Sequence, residues 1–271
     1  MEDRQTVVVI LAGGKGKRMR DHSRQKVCYP IAGVPAIVRT VSTFKSAGLR
    51  RFLIVVGQMA EQVMSTIAAE HPEASFVYQD RQRGTGHAAG CAARALKAGG
   101  HEGGIVVTMG DKVLQPEVVT ELLASHRRSR ADITLTALPK STESSAGRIV
   151  RDSQGRPIGI VEVADIRRAA ETGNPVPLAG QGFSAEQVEQ NSHSVNASLY
   201  LFGALPLYDA IDALRSDNAQ GELYLTDTLA YAVARGLRVN VMDVTDPEDL
   251  MTYNTPEELK AIEDVLARRR N

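Results

Sequence analysis

The chain has 271 residues, with 32 Lys and Arg balanced by 32 Asp and Glu, 43% hydrophobic residues, 4% aromatic residues and no tryptophan. At about 150 residues per domain this allows one large domain or two small ones with a sizeable core. Zero net charge excludes a global field for nucleic acid or anionic membrane, and the scarcity of aromatic rings argues against a base-stacking surface.

Cys28 and Cys91 lie far apart and form no CxxC pair, so a disulfide scaffold or a structural zinc site is not expected. The start, Met1-Glu2-Asp3-Arg4-Gln5, lacks a basic n-region, and no apolar run reaches membrane length. The expectation is a cytoplasmic protein without membrane or nucleic-acid partners.

Strand and helix signals alternate through the first half. Residues 6–12 are a continuous apolar, β-branched run, the pattern of a strand buried on both faces. A glycine-rich basic loop follows. Residues 35–47 read as a helix opened by Pro35 and closed by Gly48. Residues 52–56 are a second buried strand, and apolar residues from Met59 to Ala68 then recur at helical spacing. A short strand at 75–78, an Ala-rich helix at 87–96, a buried strand at 105–108, a helix around Val118–Leu123 and a strand at 133–138 complete the series. This βαβα order predicts a mostly parallel sheet covered on both sides.

After Pro139 the pattern changes. Residues 147–151 and 158–163 form a predicted hairpin around Asp152-Ser153-Gln154-Gly155. Residues 165–192 have weak periodicity and read as a long loop or a short helical insertion. Strands follow at 195–202 and 237–241, with helices at 206–214, 223–234 and 255–266. The last has a capping-box pattern at Thr255-Pro256-Glu257-Glu258. Neither a repeat nor a clean linker appears, so one domain spans 1–271. The change after Pro139 divides it into halves of about 1–138 and about 139–271.

The densest chemical signal is Leu11-Ala12-Gly13-Gly14-Lys15-Gly16-Lys17-Arg18-Met19-Arg20, followed by Gln25-Lys26. Its glycines let backbone N–H groups approach an anion, and six cationic side chains fall within 12 residues. A polyphosphate at the carboxyl end of the first strand is the natural ligand. Walker A fails because none of Gly13, Gly14 or Gly16 has a Gly five positions on, and a dinucleotide GxGxxG fails at Met19. In the segment from Gln79 to Ala88, Gly84 and Gly86 suit close approach to a ligand, Thr85 can cap the next helix, and Gln79 suits a base edge. Asp111, after a buried strand and Gly110, can hold Mg2+ at the same sheet edge. Six histidines, expected mostly at the surface, show no metal spacing.

With these motifs in place, the sequence resembles sugar-phosphate nucleotidyltransferases. It is most similar to the uridyltransferase (pyrophosphorylase) half of bifunctional N-acetylglucosamine-1-phosphate uridyltransferases. The likeness runs from Val7 to about Val265. Its more particular segments are Gly84-Thr85-Gly86-His87-Ala88 and Gln220-Gly221-Glu222-Leu223-Tyr224-Leu225-Thr226-Asp227. The resemblance implies an α/β, Rossmann-like fold of the nucleotide-diphospho-sugar transferase type: a mixed, mostly parallel sheet with helices on both faces. It implies that Leu11, Ala12, Gly13, Gly14, Gln79, Gly84 and Thr85 seat UTP, and that Arg18 and Lys26 act in catalysis. Asp111 and Asn254 would hold Mg2+, and Gly147, Glu162 and Asn196 would contact a sugar-1-phosphate, favouring N-acetylglucosamine-1-phosphate. The acetyltransferase β-helix of that family is absent from this sequence, and the resemblance implies no oligomeric state.

The sequence departs from the family pattern at Lys17, Gln25, Met109, Lys112-Val113 and Thr255, and in the long 165–192 segment. A different sugar-1-phosphate, an alcohol phosphate such as phosphocholine, or CTP or dTTP are therefore alternative substrates. A non-catalytic module that binds UDP-sugars is a third reading.

Overall fold

The computed structural model describes residues 5–16, 18–19, 23–141 and 144–270. Lys17 and Arg20 of the basic turn, and His22, lie outside the described residues.

Strand β1 (Val7–Leu11) leads through the glycine-rich loop to a 3-10 turn at Lys26–Cys28 and a tight hairpin, β2 (Pro30–Ile31) and β3 (Val34–Pro35). Then come α1 (Ala36–Ser46), β4 (Arg51–Val56), α2 (Ala60–Ala68), β5 (Ser75–Tyr78), α3 (Thr85–Ala98), β6 (Gly104–Met109), the short β7 (Lys112–Leu114), α4 (Pro116–Ser129) and β8 (Ile133–Pro139). The second half holds the hairpin β9 (Arg148–Arg151) and β10 (Pro157–Val161), α5 (Val163–Thr172), β11 (Val176–Leu178), β12 (Gln181–Phe183) and α6 (Ala185–Gln190). The long β13 (Ser194–Gly203), α7 (Ala204–Asp212), α8 (Asp227–Ala234), β14 (Val239–Asp243), β15 (Leu250–Thr252) and α9 (Pro256–Arg270) complete it.

Two-sided burial explains the unbroken apolar run of β1. Val8 and Ile10 join one core with Ile37, Val41 and Phe44 of α1, while Val7, Val9 and Leu11 join another with Ala88, Ala89 and Ala92 of α3. Each fully buried aliphatic side chain contributes about 1.5–3 kcal/mol by leaving water, so polar residues at these positions would be costly. Helices thus cover both faces, as expected of a parallel sheet. Among the described residues no helix is long and apolar enough to cross a membrane.

Nine strands form the main sheet. β5, β4, β1 and β6 run parallel, and β13 pairs antiparallel to β6. The register places Leu11 beside both Val55 and Met109. β13 has β8 along one edge, while β6 and then β9 share the other: Leu199–Gly203 pair with β6, and Ser194 and Val195 with β9. The register breaks between Asn196 and Tyr200, where Ser198 adopts φ +58°. The sheet therefore forks where β6 ends, leaving a cleft at the carboxyl ends of β1 and β6.

Some boundaries differ from expectation. The second hairpin strand stops at Val161, and Val163 already begins α5. The helix expected from residue 223 starts at Asp227, because Leu223 is drawn into backbone bonds with Arg83 O and Gly86 N at 2.8 Å each. The pairing of β7 with β15 had no sequence signal. At α9 the Thr255 hydroxyl accepts from Glu258 N, but the Glu258 carboxylate accepts from Asn254 N, so only half of the capping box forms.

The 165–192 segment is ordered structure: α5, the β11–β12 hairpin and α6. Ile166, Leu178 and Val188 pack with Val150, Ile158 and Val161 of the β9–β10 hairpin into a separate small core. Glu189, in α6, accepts from Lys140 Nζ at 3.0 Å and Arg148 Nε at 3.0 Å. Burial acts to raise the Glu189 carboxyl, but these two cations outweigh it and hold it below the usual range. Arg148 in turn donates to the carbonyls of Ser144 and Ala146 at 2.9 and 2.7 Å. The segment thus braces the loop ahead of Gly147 from behind. In Glu189→Ala, amide exchange at residues 144–148 is expected to rise by ~10-fold or more while β1, β4 and β6 stay protected. Hydrogen exchange read by mass spectrometry checks this, and unchanged exchange at 144–148 would contradict the bracing role.

Candidate active site

The fork in the sheet opens a cleft of about 920 Å³. Every residue assigned above to nucleotide, catalysis, metal or sugar lines it: Leu11 to Gly14, Arg18, Lys26, Gln79, Gly84, Thr85, Asp111, Gly147, Glu162, Asn196 and Asn254.

The glycine-rich loop is held by its carbonyls. Gln25, only 3% exposed, donates through Nε2 to Ala12 O at 3.0 Å and Gly14 O at 2.8 Å, and its Oε1 accepts from Val27 N at 2.7 Å. Gly13 O accepts from Gln82 Nε2 at 2.9 Å and Gln58 N at 3.2 Å. No described residue accepts from the N–H groups of residues 13–16, so four donors are left for a ligand. Such consecutive free amides form an anion-binding concavity. Gly13 needs its missing side chain, since a Cβ there would lie 2.6 Å from Gln79 Oε1. Gln25 departs from the family pattern, and its bracing role has no sequence signal. Its amide reaches across folded backbone, which no local spacing reveals.

Lys26 is the hub. Its Nζ forms an ion pair with Asp111 Oδ2 and donates to Asn254 Oδ1 at 2.9 Å, with the Tyr253 ring centroid 5.3 Å away. Arg18 donates to the same Asn254 oxygen at 2.8 Å. Asp111 Oδ1 is buried and has no hydrogen-bond partner. Thr252 pairs with Lys112 in the β7–β15 ribbon, which brings Asn254 to Asp111. Among the described residues no group of three His, Cys, Asp or Glu could hold a metal by itself. One carboxylate, whose Oδ1 is orphaned, and one carboxamide still fit Mg2+, which prefers oxygen ligands and shares them with substrate phosphates and water. That an ammonium already bridges the two donors shows that the position attracts a cation.

Lys112 follows Asp111 and is 6% exposed. Burial pushes its ammonium down to about 8, opposed by Asp111 and assisted by Lys26.

At the base end, Gln79 is 4% exposed, with Nε2 3.2 Å from His87 Nδ1. Thr85 does not cap α3. The N-cap is Gly84, without a side-chain bond, and Thr85 Oγ1 instead accepts from Leu225 N at 3.1 Å. A Cβ on Gly84, at φ +101°, would lie 2.5 Å from Leu223 O. The two particular sequence segments thus lock against each other. Of the histidines, His71 and His126 are buried rather than at the surface.

At the far end, Asn196 N donates to Gly147 O at 2.9 Å, and a Cβ on Gly147 would come within 3.2 Å of Glu162 Oε1. Thr226 Oγ1 donates to Glu162 Oε1 at 2.9 Å. Burial raises the Glu162 carboxyl, the Thr226 bond opposes this and Asp165 adds to it. The 165–192 segment contributes nothing to the cleft lining.

Comparison with known proteins bears on the family and the fold. Residues 8–222 match the model of the MobA-like NTP transferase domain. The chain is 34% identical over 252 residues to the bifunctional protein GlmU of Geobacter metallireducens, covering 93% of this chain and 48% of that protein. It is 35% identical over 267 residues to the bifunctional protein GlmU of Mycolicibacterium gilvum, covering 97% and 49%. The chain thus spans about half the length of these curated relatives. A crystal structure of a Bacillus anthracis protein, provisionally assigned as a glucose-1-phosphate thymidylyltransferase, superposes with a TM-score of 0.72 at 18% identity. The match covers 96% of this chain and 94% of that one. It shows the shared fold.

Asp227, at the start of α8, completes an acidic group with Glu162 and Asp165. Burial first, then those two carboxylates, push its carboxyl up to about 7. An unfolded Asp titrates near about 3.9. Between these values the folded protein keeps a proton that the unfolded chain releases, so stability is full below about pH 4 and falls as pH rises towards 7. Asp227→Asn is therefore expected to melt ~5 °C above the parent at pH 8 and to match it near pH 4. Melting curves by circular dichroism across that range check the sign, and an equal gap at both pH values would contradict it.

Proposed function

The chain belongs to the MobA-like NTP transferase family, and from that premise we propose that it transfers UMP from UTP to a sugar-1-phosphate, with N-acetylglucosamine-1-phosphate the favoured acceptor. The products are a UDP-sugar and pyrophosphate. What supports this most is the convergence of free loop amides, Lys26, Arg18 and an Asp–Asn oxygen pair in one cleft that continues to Gly147, Glu162 and Asn196. Residues through about 138 serve the nucleotide and those from about 139 the acceptor.

In the proposed reaction an acceptor phosphate oxygen attacks the α-phosphorus of UTP. The bond from that phosphorus to the oxygen bridging to the β-phosphate breaks, and pyrophosphate leaves with that electron pair. The nucleophile is already an anion, so no side chain has to remove a proton. The amides of residues 13–16 hold phosphate oxygens, and Gln79 with Gly84 and Thr85 frames the base. Lys26 and Arg18 offset the charge of two converging anions, and Gly147, Glu162 and Asn196 orient the sugar. Catalysis of this kind rests on alignment and charge neutralisation. Mg2+, held by Asp111 and Asn254, would supply further neutralisation of phosphate charge. A nucleoside triphosphate substrate is consistent with a cytoplasmic setting.

A second reading keeps the chemistry and changes the acceptor. Glu162 and Glu222 line the far end, with Asp165 and Asp227 close by. This favours an acceptor whose organic part is neutral or cationic, such as phosphocholine, over a uronic acid.

Pyrophosphate release, measured with UTP, CTP, dTTP and ATP against a panel of sugar and alcohol phosphates, tests both readings. The expected best pair is UTP with N-acetylglucosamine-1-phosphate, and the absence of release with every pair would falsify nucleotidyl transfer. Lys26→Ala is expected to lower kcat by at least ~10²-fold, the usual effect of removing one preorganised charge-stabilising group. A loss under threefold would show that the loop has another role. Asp111→Ala should abolish Mg2+-dependent turnover, whereas a module that only binds UDP-sugars would be indifferent to it.

A further inference from the structure

Buried charges in proteins are paired, and an unpaired one signals a missing partner. Lys112 is such a case. It is 6% exposed, lines the cleft, and its side chain has neither a hydrogen bond nor an ion pair with any described residue. Its backbone is fixed: Thr40 Oγ1 donates to its carbonyl at 2.8 Å, and it pairs with Thr252 across the β7–β15 ribbon. Within β7, Val113 faces the core around Met19 and Tyr253, while Leu114 faces the core that contains Leu250. Lys112, alternating with Val113, is held on the Leu114 side, where Leu138, Ala197 and Leu250 line the same cleft. An aliphatic side chain would suit that wall, whereas a lysine there brings to the cleft an ammonium that has no hydrogen bond or ion pair with a described residue.

A second observation lies one residue away. Asp111 turns one oxygen to Lys26 and leaves Oδ1 buried without a partner. The carboxylate beside Lys112 is thus committed to Lys26 on one side and open on the other. The cations Lys15, Arg18, Lys26 and Lys112 all border the cleft.

We propose that Lys112 is an anion-binding residue of this cleft, whose ammonium takes a phosphate oxygen of the bound ligand directly, next to the oxygens that would hold the divalent ion. The inference rests on the nucleotidyl-transfer reading only for the identity of the ligand. That phosphate belongs either to the triphosphate tail or to the acceptor. Until one of them arrives, the Lys112 ammonium has no hydrogen-bond or ion-pair partner among the described residues, and a phosphate oxygen would supply one.

Calorimetry at pH 7 in EDTA separates the two sources, with inorganic pyrophosphate and glucose 1-phosphate as probes. Lys112→Met is expected to weaken at least one probe by ~10-fold, the scale of a charge-assisted bond to phosphate, and the probe affected identifies the source. Without ligand the variant is expected to melt above the parent, because an isosteric apolar chain replaces an unpaired charge. Changes below threefold for both probes overturn the proposal, as does a parent protein that binds neither. If Lys112→Met fails to fold, Lys112→Gln gives the same binding readout. A parent that binds phosphate but transfers no nucleotide retracts the reaction and leaves this inference standing. Phosphate binding retained by the variant retracts the inference and leaves the reaction standing.

Discussion

The ammonium of Lys26, seated between Asp111 and Asn254, is the contact on which the rest of the site depends. It joins three stretches of chain that share no local sequence: the loop after β1, the end of β6 and the residues after β15. Tyr253 closes the arrangement by donating from its hydroxyl to the Lys26 carbonyl at 2.5 Å. In a partly buried setting such charges are strong only when their geometry is fixed. The parallel β1–β6 pairing, the β7–β15 ribbon and the Gln25 brace supply that fixity.

The first half of the fold was legible because its strands are buried on both faces. That forces continuous apolar runs such as Val7–Leu11, and a glycine-rich basic turn directly after such a run sits where open α/β sheets bind phosphate. The site residues were legible as types but not as a network. Gln25, Gln62 and Gln82 act through side-chain amides that meet backbone far along the chain: Gln62 Oε1 accepts from Gln25 N at 2.6 Å. Thr85 misled for the same reason, since its hydroxyl is taken by Leu225 N rather than by its own helix. The 165–192 segment looked irregular because each of its elements is short. Its apolar residues Ile166, Leu178 and Val188 become a pattern only when folded onto β9 and β10.

The cleft is polarised although the chain is neutral. Cations gather at the first strand and carboxylates at α8 and β10, so a ligand with an anionic head and an uncharged or cationic tail is oriented before any specific contact forms. The long insertion stands behind this arrangement. Its Glu189 holds Arg148, which braces the loop ahead of Gly147, and its Asp165 accepts from Ala219 N at 2.7 Å, next to Gln220 and Glu222 of the cleft wall.

The β7–β15 ribbon has a further consequence for biosynthesis. All nine strands of the main sheet are complete by Asp243, whereas the carboxamide that faces Asp111 lies after β15. A polypeptide still tethered to the ribosome at that stage already has its glycine-rich loop but has no second oxygen to set against the aspartate. The Asp111–Asn254 pair can form only after residues beyond the main sheet have been made and β15 has paired with β7.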